Sequence, residues 1–238
     1  MDPVTTGWFD GTHVAVVGGT SGIGAAIAAA FAASGASVTA TGTEVAKPVK
    51  GITHTTLDVR DSAAVAAFAA GLTRLDHLIY CAGIIRRGAE HDPAVFDDVI
   101  DVNLSGAMRL ATAARPLLAV RGGTITLMAS MLSFFGGGLV PGYAASKGGV
   151  AQLAKSLAIA YAVDGIRVNA IAPGWIATGL TDPLRTDPAR SQAIVARTPL
   201  GRWGAPGDIA GPALFLASPL AAFVTGVILP VDGGYLTV

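Results

Sequence analysis

The chain has 238 residues, of which 52% are hydrophobic and 13% are charged, and its 16 basic side chains balance 16 acidic ones. This composition is typical of a globular domain, and a neutral chain without basic blocks does not favour a nucleic-acid partner. The mean hydropathy is +0.58, yet Gly, Ser, Thr, Pro or a charge interrupts every apolar run before the ~18–20 residues that a membrane helix requires, so we expect no membrane association.

The N-terminal residues and the cysteine content predict where the protein resides. The segment MDPVTTGWFDGTH has neither the basic start nor the apolar core of a signal peptide. Cys81 is the single cysteine, which rules out an internal disulfide and favours a reducing compartment, so we expect a cytoplasmic protein. We expect no metal site, because Cys81 has no partner cysteine and His13, His54, His77 and His91 are scattered.

Seven short apolar runs alternate with longer Ala-rich stretches that have helical periodicity. The runs predict strands at 12–18, 36–41, 51–57, 75–82, 122–130, 165–173 and 226–232. The longer stretches predict helices at 22–34, 61–71, 93–119, 143–163 and 206–218. This alternation indicates an α/β fold with a doubly wound, seven-stranded parallel sheet. Because no linker or repeat interrupts the pattern, we expect a single domain over residues 1–238.

The connection between the second and third predicted strands is unusually short. Only eight residues, Pro48 among them, separate Thr43 from Ile52. A parallel crossover usually needs a dozen or more residues and most often contains a helix. We therefore predict that the helix after the second strand is missing or reduced to a turn. The alternative is that one strand end is misplaced by about two or three residues.

A glycine-rich turn follows the first predicted strand and opens the first predicted helix, in the sequence VVGGTSGIGAAIA (16–28). Gly18, Gly22 and Gly24 allow a tight turn and let a pyrophosphate approach backbone N–H groups, while the helix N-terminus adds partial positive charge. Glycines also occur in ordinary turns, but strand, turn and helix in succession are the context that a dinucleotide site requires. We predict dinucleotide binding on a Rossmann-type fold.

This turn resembles the T-G-x-x-x-G-I-G pattern of the short-chain dehydrogenase/reductase family, with Val17 in place of the usual Thr. Four further segments match family motifs in order, namely LDVRD (57–61), YCAG (80–83), DVNL (101–104) and PGWIAT (173–178). The chain departs from the family at YCAG, because Tyr80 and Cys81 replace both asparagines of the usual N-N-A-G. The resemblance covers the whole length and implies a nicotinamide-dependent oxidoreductase.

The family's catalytic residues match Asn103, Ser130, Tyr143 and Lys147. Tyr143 and Lys147 are four residues apart on one predicted helix, so they share a face. A free phenol has a pKa near ~10; an ammonium one turn away and an oxidised nicotinamide favour the phenolate, which suits a general acid/base. By resemblance, Ser130 binds the substrate oxygen, Lys147 also binds the nicotinamide ribose, and Asn103 holds a water that relays the proton.

The resemblance also implies the residues that bind the cofactor. They are Gly18, Thr20, Ser21, Gly22, Ile23, Gly24, Thr43, Asp58, Val59, Cys81, Ala82, Gly83, Tyr143, Lys147, Pro173, Gly174, Ile176 and Thr178. Asp58 is expected to hold the adenine amino group beside Val59. The Ile176 backbone and Thr178 are expected to hold the nicotinamide amide.

NAD is favoured over NADP by the residues at the end of the second strand. NAD-preferring relatives carry an acidic residue there, whereas NADP users carry Arg or Lys nearby or before the second motif glycine. The corresponding residues are Gly42, Thr43 and Ser21, so no cation neutralises a 2′-phosphate. Glu44 would repel that phosphate, and Lys47 is the residue that argues for NADP.

The predicted substrate is a secondary alcohol or ketone. AGIIRR (82–87), ASMLSFFGG (129–137) and GRWG (201–204) resemble the branch that oxidises 2-keto-3-deoxy-gluconate and related sugar acids. Arg86 or Arg87 could bind a carboxylate bidentately, or the pair could be an exposed loop or a subunit salt bridge. Phe134, Phe135, Leu139 and Trp175 would instead give an apolar pocket for a less polar ketone. Residues 179–203 match the family's substrate lid.

Other functions and the assembly are also predicted by resemblance. A 3-oxoacyl-thioester reductase shares nearly all of these motifs but would need a basic docking patch, and a non-catalytic cofactor-sensing protein would usually lose the Tyr or the Lys. We expect a homotetramer, the common assembly of the family, with close packing of the long helices at Gly148, Gly149 and Ala151.

Overall fold

The computed structural model describes residues 7–44 and 47–238. One parallel sheet has the strand order β3-β2-β1-β4-β5-β6-β7. Its strands are β1 (His13–Val17), β2 (Ser37–Gly42), β3 (Ile52–Thr56), β4 (His77–Tyr80), β5 (Thr124–Met128), β6 (Arg167–Pro173) and β7 (Ile228–Val231). Each strand falls within one or two residues of a predicted apolar run, and the predicted seven-stranded Rossmann-type sheet is confirmed.

Helices cover both faces of the sheet. In the described residues they are α1 (Gly22–Ala33), α2 (Ser62–Gly71), α3 (Pro93–Ile100), α4 (Gly106–Ala119), α5 (Pro141–Tyr161), α6 (Asp182–Arg185), α7 (Pro188–Arg197) and α8 (Pro206–Ala217). The helices α1 and α8 pack together on one face, and α2, α4 and α5 cover the other. None of the described helices is long and apolar enough to cross a bilayer.

Two apolar clusters, one on each side of the sheet, form the core. Every residue of β4 and of β5 is buried. A strand that is covered on both faces loses the alternation of polar and apolar residues, which explains why these strands appear in the sequence as continuous apolar runs. Burial of this apolar surface supplies the main stabilisation of the fold.

The short crossover after β2 contains no helix in its described part. Residues 43 and 44 form bends, residues 47 and 48 are irregular, and residues 50 and 51 form a turn. Val49 pairs with Ile52 in an isolated antiparallel bridge. Residues 45 and 46 lie outside the described ranges. The prediction of a missing helix is confirmed, because the nine residues 43–51 between β2 and β3 are too few to cross the sheet as a helix and return parallel.

The predicted helix over 93–119 is interrupted by a change of helical pitch. Residues Asp101–Ser105 form a π-helical segment between α3 and α4. Such segments are rare and frequently mark functional sites. Tyr80, at the end of β4, donates a 2.6 Å hydrogen bond from its hydroxyl to the carbonyl of Val102 in this segment. A side chain that differs from the family's asparagine therefore ties the strand to the helix.

Candidate active site

A cleft of about 590 Å³ opens at the carboxyl edge of the sheet, where the strand order reverses between β1 and β4. Ligands of open α/β sheets bind at such a point. All the predicted cofactor residues line it, namely Gly18, Thr20, Ser21, Gly22, Ile23, Gly24, Thr43, Asp58, Val59, Cys81, Ala82, Gly83, Tyr143, Lys147, Pro173, Gly174, Ile176 and Thr178. Ser130 lines it too, whereas Asn103 does not.

The glycine turn has the shape that a pyrophosphate requires. Gly18 has a φ of +77°, and a Cβ on it would lie 2.5 Å from the backbone nitrogen of Ala82. A Cβ on Gly24 would collide with the carbonyl oxygen of Gly18. The first intrahelical bond of α1 runs from the Ala25 N–H to the Ser21 carbonyl, so the earlier N–H groups of the first turn stay free to bind an anion. The turn therefore fits a dinucleotide.

The Asp58 carboxylate is paired within the cleft. Arg60 donates to both of its oxygens, with N···O distances of 2.7–3.2 Å, and also donates to Asp98 at 2.8 Å. These bonds from Arg60 lower the pKa of Asp58. Sequence analysis missed Arg60 and Asp98 as lining residues; Arg60 lies inside the LDVRD motif, but nothing in the sequence indicates that Asp98 folds against it.

Tyr143 lies half-buried in the cleft next to Ser130. Burial raises the pKa of its phenol above the ordinary value, while the neighbouring Ser130 hydroxyl and the charge of Arg87 act in the opposite direction. The expectation that Lys147 lowers this pKa is wrong for the protein alone, because desolvation of the phenolate is the largest effect. Arg87 and Ser130 reduce this rise without reversing it.

Lys147 is 4% exposed, and its Nζ donates a 2.6 Å hydrogen bond to the carbonyl of Met128. The same Nζ lies 5.5 Å from the centroid of the Tyr143 ring. Burial lowers the pKa of Lys147 to about 8, because an ammonium group loses hydration in the cleft wall. The amine therefore has a fixed position beside the phenol and titrates close to neutral pH.

Asn103 is fully buried beneath the cleft. Its Oδ1 accepts a 2.8 Å hydrogen bond from the Ile84 N–H, and its Nδ2 donates 3.0 Å bonds to the Ile84 carbonyl and to Ser146 Oγ. The side chain thus fixes the backbone after β4 and contacts the catalytic helix. Its predicted role in holding a relay water stays a prediction.

The far end of the cleft is braced by a threonine that sequence analysis missed. Thr181 donates a 2.6 Å hydrogen bond to the Ile176 carbonyl, and its hydroxyl accepts a 3.1 Å bond from the Thr178 N–H. The two residues expected to hold the nicotinamide amide are thereby joined. Its signal in the sequence is the spacing T-x-x-T after P-G-x-x-x.

The two arginines of the AGIIRR segment have different environments. Arg86 is exposed, whereas Arg87 is partly buried and its charge acts on Tyr143. Arg87 Nη1 donates a 3.1 Å hydrogen bond to the carbonyl of Leu180, and burial lowers its pKa. Both line the cleft, but only Arg87 combines contact with residues 179–203 and proximity to the phenol.

The predicted apolar pocket is largely wrong. Phe134 and Leu139 are 52% and 59% exposed and lie outside the cleft lining, and Phe135 packs against Tyr235 instead. Trp175 does line the cleft, and its buried Nε1 has no acceptor among the described residues. After β5 the chain forms a short 3-10 turn, Met131–Ser133, capped by Ser130, and Phe134 beyond it is exposed.

Cys81 lines the cleft, and burial raises the pKa of its thiol to about 12. A thiol with such a pKa is a poor nucleophile near neutral pH. Within residues 7–44 and 47–238, the His, Cys, Asp and Glu side chains form no group of three that could hold a metal ion.

Comparison with known proteins shows the family to which the chain belongs. Residues 17–236 match the family model described as enoyl-(acyl carrier protein) reductase. A 2-dehydro-3-deoxy-D-gluconate 5-dehydrogenase of Pseudoalteromonas atlantica is 42% identical over 95% of this chain and 96% of its own.

Two crystal structures share the fold closely. A candidate 2-deoxy-D-gluconate 3-dehydrogenase of Agrobacterium tumefaciens with bound NADP is 40% identical over the whole of both chains, with a TM-score of 0.90. A gluconate 5-dehydrogenase of Burkholderia cenocepacia in complex with NADP and tartrate is 33% identical over 96% of both chains, also with a TM-score of 0.90. The chain therefore belongs to the short-chain dehydrogenase/reductase family and is a nicotinamide-dependent oxidoreductase of secondary alcohols and ketones.

Proposed function

We propose that the protein transfers a hydride between a nicotinamide cofactor and a secondary hydroxyl of a small hydroxy acid of the sugar-acid type. The observation that carries this proposal is the position of Arg87, a partly buried cation in the cleft whose charge acts on the Tyr143 phenol. A guanidinium binds a carboxylate bidentately. It would hold one end of such a substrate while the phenol meets a hydroxyl farther along it.

In this proposal, four residues have the catalytic roles. In the oxidation direction the Tyr143 phenolate accepts the proton of the substrate hydroxyl, and Ser130 donates a hydrogen bond to the substrate oxygen. Lys147, fixed by Met128, supplies positive charge beside the phenol. Asn103 holds the backbone after β4 in place. The nicotinamide supplies the hydride acceptor, and its positive charge further favours the phenolate.

The cofactor contacts are divided along the cleft. The free N–H groups of the glycine turn bind the pyrophosphate, with Thr20, Ser21 and Ile23 beside them. Asp58 and Val59 contact the adenine, and Lys147 binds the nicotinamide ribose. Ile176 and Thr178, joined through Thr181, hold the nicotinamide amide. Residues 81–83 and 173–174 form the remaining wall of the cleft.

NAD is the proposed cofactor, in preference to NADP. Gly42 and Thr43 line the cleft at the end of β2 and offer no cation. Arg60 lines it as well but is engaged by Asp58 and Asp98, and Lys47 is exposed and is not among the lining residues. The NADP in two related structures is the argument against this proposal. Initial rates with NADH and NADPH decide the matter, and a preference of about tenfold for NADPH would refute it.

Residues 179–203 are proposed as the substrate lid. The segment contains α6 and α7, and Leu180 and Thr181 line the cleft. The hydrogen bond from Arg87 to the Leu180 carbonyl joins the proposed carboxylate receptor to this segment. Closure over a substrate would exclude water from the reacting atoms.

The test is a dehydrogenase screen with both cofactors, followed by the absorbance of the reduced nicotinamide. Sugar acids, the corresponding neutral polyols and simple ketones form the three substrate groups. We expect turnover of sugar acids with kcat/KM at least about tenfold above that of the matched polyols. Equal rates with acids and polyols would exclude carboxylate recognition but leave the reaction class intact.

A 3-oxoacyl-thioester reductase is the second candidate function. The description of the matching family model and the apolar cleft residues Leu132, Leu180 and Trp175 favour it. A thioester substrate in the same screen distinguishes the two, since it would be reduced without dependence on Arg87. Absence of turnover with every substrate would instead favour a cofactor-sensing protein.

We also propose a homotetramer in the cytoplasm. Ile159 and Val163 are 81% and 83% exposed at the end of the long helix, and β7 is an edge strand of the sheet, which suits pairing of copies there. Gly149 packs inward on Leu104 and Ala151 is buried, so Gly148 is the small residue left open. Light scattering of the purified protein tests the assembly.

A further inference from the structure

A buried carboxylate lies between the two loops that build the substrate side of the cleft. Glu90 is 1% exposed and belongs to the short 3-10 segment Ala89–His91, which follows the AGIIRR loop. Its two oxygens accept hydrogen bonds from two backbone N–H groups that are far apart in the sequence. Burying a carboxylate costs folding free energy unless the group is hydrogen-bonded, so the partners of Glu90 explain how the fold accommodates it.

One oxygen caps the helix that carries the catalytic pair. The helix α5 begins at Pro141, and Val140 at its N-cap has no side-chain acceptor. The N–H of Tyr143 would therefore be one of the unsatisfied donors of the first turn. Glu90 Oε2 accepts this N–H at 2.7 Å. The negative charge also suits the positive end of the helix dipole.

The other oxygen fixes the loop that carries the two arginines. Glu90 Oε1 accepts the N–H of Arg86 at 2.7 Å, one residue before Arg87. A single carboxylate thus sets the separation between the proton-transferring phenol and the cation that would hold a substrate carboxylate. A Cβ on Gly142 would lie 3.3 Å from Glu90 Oε2, so the glycine leaves room for this contact.

We propose that Glu90 is a positioning residue for the reaction: it couples the Tyr143 end of the catalytic helix to the Arg87 loop. The inference rests on the proposed function for the identity of the substrate. The coupling of the two segments by Glu90 does not depend on that function. Only a carboxylate offers an acceptor to each N–H, because glutamine has one oxygen and would turn an NH₂ donor toward the other. The charged groups that face Glu90 are Arg87 and the phenol of Tyr143. Its charge favours a higher pKa for both, although burial leaves the pKa of Arg87 lowered overall.

The kinetic test compares Glu90→Gln with Asp92→Asn. Asp92 is the matched control because it is an exposed carboxylate two residues away that caps α3 through the Ala94 N–H, and asparagine caps equally well. We expect Glu90→Gln to lower kcat/KM for the sugar acid about 10–100-fold while the dissociation constant of the cofactor stays within about twofold. Asp92→Asn is expected to match the wild type in both. Glu90→Asp, which keeps the charge but is one methylene shorter, is expected to lie between and to retain the wild-type pH profile.

A substrate-free measurement separates this inference from the proposed function. In protein labelled with ¹³Cζ-tyrosine, the Tyr143 signal is identified by its loss in Tyr143→Phe. We expect its titration to move to lower pH in Glu90→Gln, because a negative charge is removed, and the Tyr143 amide to exchange with solvent faster. Unchanged titration and exchange would overturn the role of Glu90, whether or not any sugar acid is turned over. A wild type inactive on sugar acids, with these two changes present, would overturn the substrate assignment alone.

Discussion

The Nζ of Lys147 donates a 2.6 Å hydrogen bond to the carbonyl of Met128, the last residue of β5. This bond joins the second turn of the catalytic helix α5 to the carboxyl edge of the sheet and holds the ammonium group at the cleft. Tyr143, one turn earlier, is held at its own N–H by Glu90. The helix segment that carries the phenol is therefore fixed by two contacts that no local sequence pattern contains.

Tyr143→Phe should lower kcat about 10³-fold, because it removes the group that exchanges the proton with the substrate oxygen. The affinity for the cofactor should stay within a few-fold, since the glycine turn and the Ile176–Thr178 segment remain. Steady-state rates and a cofactor titration followed by tryptophan fluorescence measure the two quantities. Undiminished turnover would end the assignment of Tyr143 as the acid/base.

Arg87→Gln should raise KM for a sugar acid about 10–100-fold and leave KM for a neutral polyol within about twofold, because a charge-assisted pair to the carboxylate is lost. Arg86→Gln is the matched control, since Arg86 is its exposed neighbour. If the two substitutions raise KM for the sugar acid equally, the two arginines act through their general positive charge rather than through one defined contact.

Thr43→Arg should improve kcat/KM with NADPH about tenfold or more and weaken that with NADH, because a guanidinium at the end of β2 would neutralise a 2′-phosphate. Thr43→Gln, of similar length but uncharged, serves as the control. The measurement is kcat/KM with each cofactor at a fixed substrate concentration. An unchanged cofactor ratio would show that the ribose lies elsewhere.

Gly24→Ala should abolish cofactor binding or prevent folding, because its Cβ would overlap the Gly18 carbonyl oxygen and displace the turn. Gly207→Ala, in the exposed first turn of α8 where a Cβ meets nothing within 4 Å, should instead stabilise the protein by up to about 1 kcal/mol. Thermal unfolding with and without cofactor compares them. Normal binding by Gly24→Ala would contradict the proposed pyrophosphate site.

Acid should destabilise the protein through a histidine at the opposite end of the sheet. His77 is 9% exposed beside Phe9 and Phe31, and burial lowers its pKa from 6.5 to about 4. The unfolded chain therefore takes up the proton first. The stability from this residue is complete above about pH 6.5 and is lost as the pH falls toward 4, by about 2 kcal/mol at pH 5.

Urea unfolding at pH 7.5 and pH 5 measures this loss. His77→Gln should flatten the difference between the two midpoints. A weaker dependence of the urea midpoint on pH should remain in the variant, because His13 also has a pKa lowered by burial. An equally steep pH dependence in the variant would assign the effect to other groups.

Patterns along the chain predict the sheet, the short crossover and the positions of the cleft-lining motifs, because apolar runs, glycine turns and i, i+4 pairs depend on neighbours in the sequence. Four features appear only in the folded chain. Glu90 caps the helix of Tyr143, and Arg87 rather than Arg86 is the partly buried cation. Thr181 joins Ile176 to Thr178, and burial raises the pKa of the Tyr143 phenol. Each of these depends on which distant segments the parallel crossovers bring to one edge of the sheet and on how much water they exclude there. The spacing of residues along the chain indicates neither the distances between these segments nor the loss of hydration at the site.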